Sequence, residues 1–281
     1  MKVLRGIGTT RRLVAEWRRA GSSVALVPTM GNLHAGHMSR VALARRRADR
    51  VIASIFVNPT QVGPREDYAS YPRTLAADLA RLRAAGAHAV LVPGVATMYP
   101  AGAGTVVSVP GLSTVLCGAA RPGHFDGVTS VVLRLLHIVA PDVAVFGEKD
   151  YQQLAIIRRM CADLHLPVRV LGAATVREAD GLAMSSRNQY LTPSERSVAP
   201  QLHAALLACR QRLLAGGRDL RGIERAALKT LRRAGLHPDY VAIRAAADLA
   251  LPVPSTRRLR VLAAARLGRA RLIDNIAVNL P

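Results

Sequence analysis

His34 and His37 stand three positions apart within the segment VALVPTMGNLHAGHMSRVALARRR, residues 24–47, and imidazoles at that spacing can aim at one point. Gly36, between them, lets a ligand come close to the backbone. An isolated H-x-G-H is commonly no more than a polar loop, so the flanks decide its meaning. The apolar run Val24–Val27 meets a breaker at Pro28, passes through Thr29, Met30, Gly31, Asn32 and Leu33, and gives way to Met38, Val41 and Ala42 at helical spacing. A buried strand, a short loop and a helix N-terminus form a junction whose unpaired amides and helix dipole attract phosphate.

Other strand ends carry matching chemistry. Val143–Phe146 runs into Gly147, Glu148, Lys149 and Asp150, then Gln152 and Gln153: a cation for phosphate and an acid suited to a ribose hydroxyl. A lysine at the positive end of a helix is either a solvated charge or the partner of a bound anion. Val51–Val57 is followed by Asn58, Pro59, Thr60 and Gln61, whose amides can read hydroxyls and a carboxylate. Farther on, Ser185, Ser186 and Arg187 can clamp terminal phosphates, or the two serines can cap a turn ahead of Thr192 and Pro193; the residues alone leave both open.

These residues need elements to position them. The sequence predicts helices at about 9–20, from 37, 75–85, 127–139 and 151–164. They alternate with near-continuous apolar runs at 24–28, 51–57, 89–93, 105–109, 143–146 and 168–171, as expected of strands covered on both faces. That alternation implies an α/β fold: a Rossmann-like, doubly wound parallel sheet with ligands at the carboxyl ends of its strands. From Pro193 the pattern changes to two amphipathic helices, about 194–215 and 219–234, and three strand-like runs near 240–243, 259–264 and 271–275. The expected division is a nucleotide-binding domain over 1–175 and a smaller α+β lid over 176–281.

With 281 residues, half of them hydrophobic, the chain has ample material for folded cores. No segment offers 18 uninterrupted apolar residues and the N-terminus mixes Arg and Glu into its apolar positions, so neither a membrane span nor a signal peptide is expected, and the default setting is cytoplasmic. Cys117, Cys161 and Cys209 are far apart and read as reduced thiols. Lys and Arg number 39 against 18 Asp and Glu, a formal charge of +21. The arginines are spread along helices and aromatic residues make up 4%, a pattern that speaks against nucleic acid as a partner.

In its strand–loop–helix context the histidine tetrad resembles the signature of the nucleotidyltransferase superfamily, which includes the class I aminoacyl-tRNA synthetases. PTMGNLHAGH, SIFVNPTQ, YPRTLAADLARL, RPGHFDGV with VFGEKDYQQL, READGLAMSSRNQYL and ARLGRARLIDN, in that order, resemble the pantothenate synthetase family. The resemblance implies a homodimer of two-domain subunits that joins pantoate to β-alanine with Mg²⁺ and ATP through a pantoyl-adenylate. It places Met30, Gly31, Asn32, Leu33, His34, Ala35, Gly36 and His37 at ATP, with His34 and His37 at the phosphates and an acid role for His37. Gly147, Glu148, Lys149 and Asp150 fall on the nucleotide turn, Val176 on a backbone contact to adenine, and Met184, Ser185, Ser186 and Arg187 on the phosphate-closing loop. Gln61 and Gln153 fall on the glutamines that hold pantoate, and Asp78 on a position associated with Mg²⁺. Three departures, Val62 for Phe, His137 for Asn and Ala77 for an acid, bear on the pantoate pocket and the metal site.

Overall fold

The computed structural model describes residues 1–62 and 68–281. Six parallel strands form the main sheet: β1 (Lys2–Leu4), β2 (Val24–Thr29), β3 (Arg50–Ile55), β4 (Ala89–Leu91), β5 (Val143–Gly147) and β6 (Arg169–Ala173). Their order across the sheet is β1-β4-β3-β2-β5-β6. The chain therefore winds outward from β2 through β3 to β4 and crosses back to β5, which makes the β2/β5 boundary the switch point of a doubly wound sheet.

Alternate residues of each strand feed opposite cores. Val24, Leu26, Ile52, Ala144 and Phe146 pack with helices α1 (Ile7–Arg19), α6 (His124–Val139) and α7 (Tyr151–Asp163). Ala25, Val27, Val51, Ala53 and Val145 pack with α2 (Ala35–Arg45) and α3 (Leu75–Ala84). Two short helical turns, α4 (Val95–Met98) and α5 (Cys117–Ala120), lie in the crossover from β4 to α6. Apolar side chains on both faces explain why these strands read as unbroken apolar runs.

The second sheet is an antiparallel meander of β7 (His237–Ala245), β8 (Arg258–Leu267) and β9 (Ala270–Asn279). Val241, Ile243, Val261, Ala263 and Leu272 pack with helices α9 (Gln201–Leu214) and α10 (Leu220–Arg233) in a core of their own. From the other face, Leu262 joins the main core, with Tyr240 and Ile273 packed against it.

Three sequence expectations need correction. Residues 105–109 are not a strand. The segment lies along α6, where Val107 donates to Ser130 Oγ at 2.9 Å and accepts from Thr129 Oγ1, so helix side chains take the place of a ladder. The helix expected over 194–215 is two, α8 (Pro193–Val198) and α9, because Pro200 has no N–H to continue the first. Strand β1 escaped notice because three residues are too short to show periodicity.

Gly127 on α6 ties this scaffold to the turn Pro59–Gln61: a Cβ there would lie 2.3 Å from the Thr60 carbonyl oxygen. Gly127→Ala is expected to cost roughly 1–3 kcal/mol as an overpacked contact, seen as a lower urea midpoint with an unchanged m-value; an unchanged midpoint would show that the turn gives way freely.

Candidate active site

Strand β2 pairs with β3 over its whole length, Val24–Thr29, but with β5 only at Ala25 and Leu26. Beyond those pairs β2 and β5 part, with Pro28 on one lip unable to donate to any ladder. The opening is part of a crevice of about 570 Å³ lined by Thr29, Met30, His34 and His37 on one side and Phe146, Lys149 and Asp150 on the other. Its further wall comes from the second sheet through Tyr240, Leu262 and Ile273.

The loop after β2 is held from behind by α3. Asp78, 1% exposed, accepts the Asn32 N–H at 2.9 Å and the Leu33 N–H at 2.8 Å, one at each carboxylate oxygen, with Thr74 Oγ1 at 3.2 Å. One turn along α3, Arg81 donates to the Leu33 carbonyl. Gly31 (φ 86°) and Asn32 (φ 49°) take the left-handed conformations that the loop needs, and a Cβ on Gly31 would crowd Asp78 and Ile55. Asp78 thus serves as the anchor of the loop. It is buried behind the loop and is not among the side chains that line the crevice.

The two histidines start α2 as a reciprocal cap. His34 Nδ1 accepts the Gly36 N–H at 3.2 Å, and His37 Nδ1 accepts the His34 N–H at 3.3 Å. With each Nδ1 accepting, the proton of a neutral ring resides on Nε2, so both rings are N–H donors. The rings meet edge-on with centroids 4.2 Å apart. Burial, then the charges of Arg40 and Lys149, lowers the His34 pKa to about 4, against a weaker opposing pull from Asp150. Burial, then Arg40, His34 and Lys149, pushes His37 well below its ordinary value. Both are uncharged near neutrality, so each ring presents an Nε2–H as a hydrogen-bond donor.

Arg40 was not singled out from sequence, although it follows His37 by three positions on one helix and therefore shares its face. Its guanidinium lies against Gly147, where a Cβ would be 2.5 Å from Nη2, so the glycine makes room for a cation at the mouth of β5. Across the crevice Gln61 donates to Met30 Sδ at 3.1 Å and accepts from Asn58 at 3.1 Å, while His124 Nδ1 holds its carbonyl at 2.7 Å. Gln153 lines the same space, but its neighbour Gln152 is spent on the backbone of Leu112, Val115 and Cys117.

Met184, Ser185, Ser186 and Arg187 also line the crevice. Ser185 accepts from the Arg187 N–H at 3.3 Å as a cap, while Ser186 Oγ donates to the Asn32 carbonyl at 3.0 Å and so joins this loop to the histidine loop. Val176 does not line the crevice, and its carbonyl accepts the Met184 N–H at 3.0 Å. Gly31, Asn32, Leu33, Ala35, Gly36, Gly147 and Glu148 form the turns behind the lining side chains. Of the three departures Val62 lines the crevice, whereas Ala77 and His137 are exposed and are not among its lining residues.

Paired neutral donors with two cations beside a strand parting suit a polyanion that gains charge during reaction. The family model for pantoate-beta-alanine ligase matches residues 2–277. A pantothenate synthetase of Stutzerimonas stutzeri is 53% identical over 100% of this chain and 99% of its own, and one of Thioalkalivibrio sulfidiphilus is 58% identical over 94% and 93%. Among solved structures, the pantothenate synthetase of Thermus thermophilus superposes with a TM-score of 0.90 at 47% identity, covering 98% of this chain and 99% of that one. A Francisella tularensis pantoate-beta-alanine ligase, described as complexed with beta-gamma ATP and beta-alanine, gives 0.83 at 30% identity, covering 98% and 97%. Likeness of this extent, from the first strand to the last, means that the chain belongs to the pantoate–β-alanine ligase family.

Proposed function

We propose that this chain condenses (R)-pantoate with β-alanine at the expense of ATP, by way of a pantoyl-adenylate. The observation that carries the reading is the pair of uncharged imidazoles facing, with Arg40 and Lys149, the crevice where β2 and β5 part.

In the first half-reaction a carboxylate oxygen of pantoate bonds to the α-phosphorus while the bond to the bridging oxygen breaks, and pyrophosphate leaves with the electron pair. Charge builds on the leaving oxygens, where the Nε2–H groups of His34 and His37 and the cations Lys149 and Arg40 stabilise it in place of water. Ser185, Ser186 and Arg187 close over the terminal phosphates. Asp150 is the acid left for a ribose hydroxyl, since Glu148 turns toward Arg260 at 3.6 Å. Gln61 and Gln153 hold the pantoate hydroxyls and carboxylate. In the second half-reaction the free amine of β-alanine attacks the acyl carbon, AMP departs with its phosphate oxygens, and the amine proton passes to solvent. No covalent enzyme intermediate is required.

Mg²⁺ belongs to this reading as a companion of ATP that neutralises phosphate charge. No group of three or more His, Cys, Asp or Glu among the described residues forms a metal cage, so the donors present suit an ion held mainly by phosphate oxygens and water, with Asp78, behind the histidine loop, as the carboxylate on that side. We also assign a homodimer, a cytoplasmic setting, and a division into a nucleotide- and pantoate-binding unit over 1–175 and a lid over 176–281. No helix among the described residues is long and apolar enough to cross a membrane.

An adenylate route requires pantoate alone to support exchange of labelled pyrophosphate into ATP; exchange that waits for β-alanine would point to a concerted reaction. His34→Ala and His37→Ala should each lower kcat by roughly 10²-fold, with a smaller change in the KM for ATP, as loss of a preorganised donor commonly does. Near-normal kcat in both would remove the pair from the mechanism. Val62→Phe should lower the pantoate KM about fivefold, because a few tens of Å² of added apolar contact at ~25 cal/mol per Å² is worth roughly 1 kcal/mol. A raised KM would mean that the space is already filled.

A further inference from the structure

Lys149 lies on the short helical turn Glu148–Asp150 between β5 and α7, and a side chain with four rotatable bonds depends on a well-fixed backbone if its ammonium is to meet a particular phosphate oxygen. The main sheet does not supply that fixing alone. Asn275 of β9, 4% exposed, sends its amide into the turn: Nδ2 donates to the Glu148 carbonyl and to the Lys149 carbonyl, both at 2.9 Å. Its Oδ1 accepts from Arg260 Nη1 at 3.1 Å. Carbonyls on one side and a guanidinium on the other leave a single orientation for the amide, and only an amide can donate twice and accept at once. An aspartate would face two carbonyls with oxygens.

The support behind Asn275 is equally definite. Its own N–H donates to Asp274 Oδ1 at 2.7 Å, and Asp274 receives Arg177 in a two-pronged bond of 2.6 and 2.9 Å, with His203 Nδ1 at 3.4 Å. Burial alone would raise the Asp274 pKa, but these partners hold it below the ordinary carboxylate value. Arg260, which orients the amide, lies 3.8 Å above the Tyr151 ring and 3.6 Å from Glu148 Oε2. Tyr151 in turn donates to the Ala246 carbonyl at 2.7 Å. The turn is therefore gripped from the second sheet at both its main chain and its flanking side chains.

We infer that Asn275, at the edge of the crevice, is a positioning residue for Lys149: it sets the two peptide planes from which Lys149 reaches into the crevice. The inference rests on the reading of Lys149 under the proposed function. A double-mutant cycle tests it, because two residues acting through one another are non-additive whereas independent stability effects are not. Asn275→Ala should lower kcat for pyrophosphate exchange about tenfold with a smaller change in the pantoate KM. In a Lys149→Ala background the same change should cost less than twofold. Equal factors in both backgrounds would overturn the inference, and so would a Lys149→Ala enzyme as active as wild type.

The same four proteins are compared for binding of a non-hydrolysable ATP analogue, where coupling is again expected and additivity again overturns it. A chain that binds the analogue with coupling yet makes no pantothenate would refute the proposed function and leave the inference standing. Should Asn275→Ala fail to fold, Asn275→Ser, which keeps one donor, takes its place with a smaller loss expected and the same criterion of non-additivity.

Discussion

The early end of the ladder between β2 and β5 is the constraint on which the remaining features depend. Two parallel strands that stop pairing after Leu26 and Ala144 leave backbone groups on both lips that must be satisfied some other way. On the β2 side the answer is α3, whose Asp78 and Arg81 take the amides and a carbonyl of the following loop. On the β5 side it is β9, whose Asn275 takes two carbonyls of the following turn. Each lip is thus braced by an element distant in sequence, and the side chains between them face one another at a separation that neither strand alone determines.

Electrostatics follows from that geometry. Arg40 and Lys149 are brought beside two partly or fully buried imidazoles, and cations in poorly solvated surroundings make a further positive charge costly. The histidines stay neutral as a result, and the site combines fixed positive charge with uncharged donors. That combination favours an anion strongly without requiring any group to change its protonation as pyrophosphate departs.

The β-α-β alternation, the histidine loop and the Gly147–Asp150 turn were legible from sequence because each signal is local: an apolar run, a breaker, a cluster of polar residues at the run's end. Misreadings arose where tertiary partners override pattern. Residues 105–109 have the composition of a strand and are bonded instead by Thr129 and Ser130. That Asp78 would hold the amides of Asn32 and Leu33 was likewise not legible, because it depends on where α3 docks. Arg40 could have been found from its spacing to His37. Asn275 could not, since nothing near it in the chain announces that its amide will serve a turn so far back in the sequence.

The reciprocal cap of His34 and His37 carries a liability in acid. A neutral ring with its proton on Nε2 can take up another only at Nδ1, the atom that accepts a backbone N–H at the start of α2. Protonation therefore sets donor against donor, and the cost falls on the helix start as well as on the charge balance. Ordinary histidines titrate near 6.5, and His34 resists until about 4. Between those values the unfolded chain binds protons that the native chain refuses, so native stability falls as the pH drops through that window and is unaffected by these rings above it. The start of α2 is thus the place where acid sets the cap of the helix against the protonation of its own side chains.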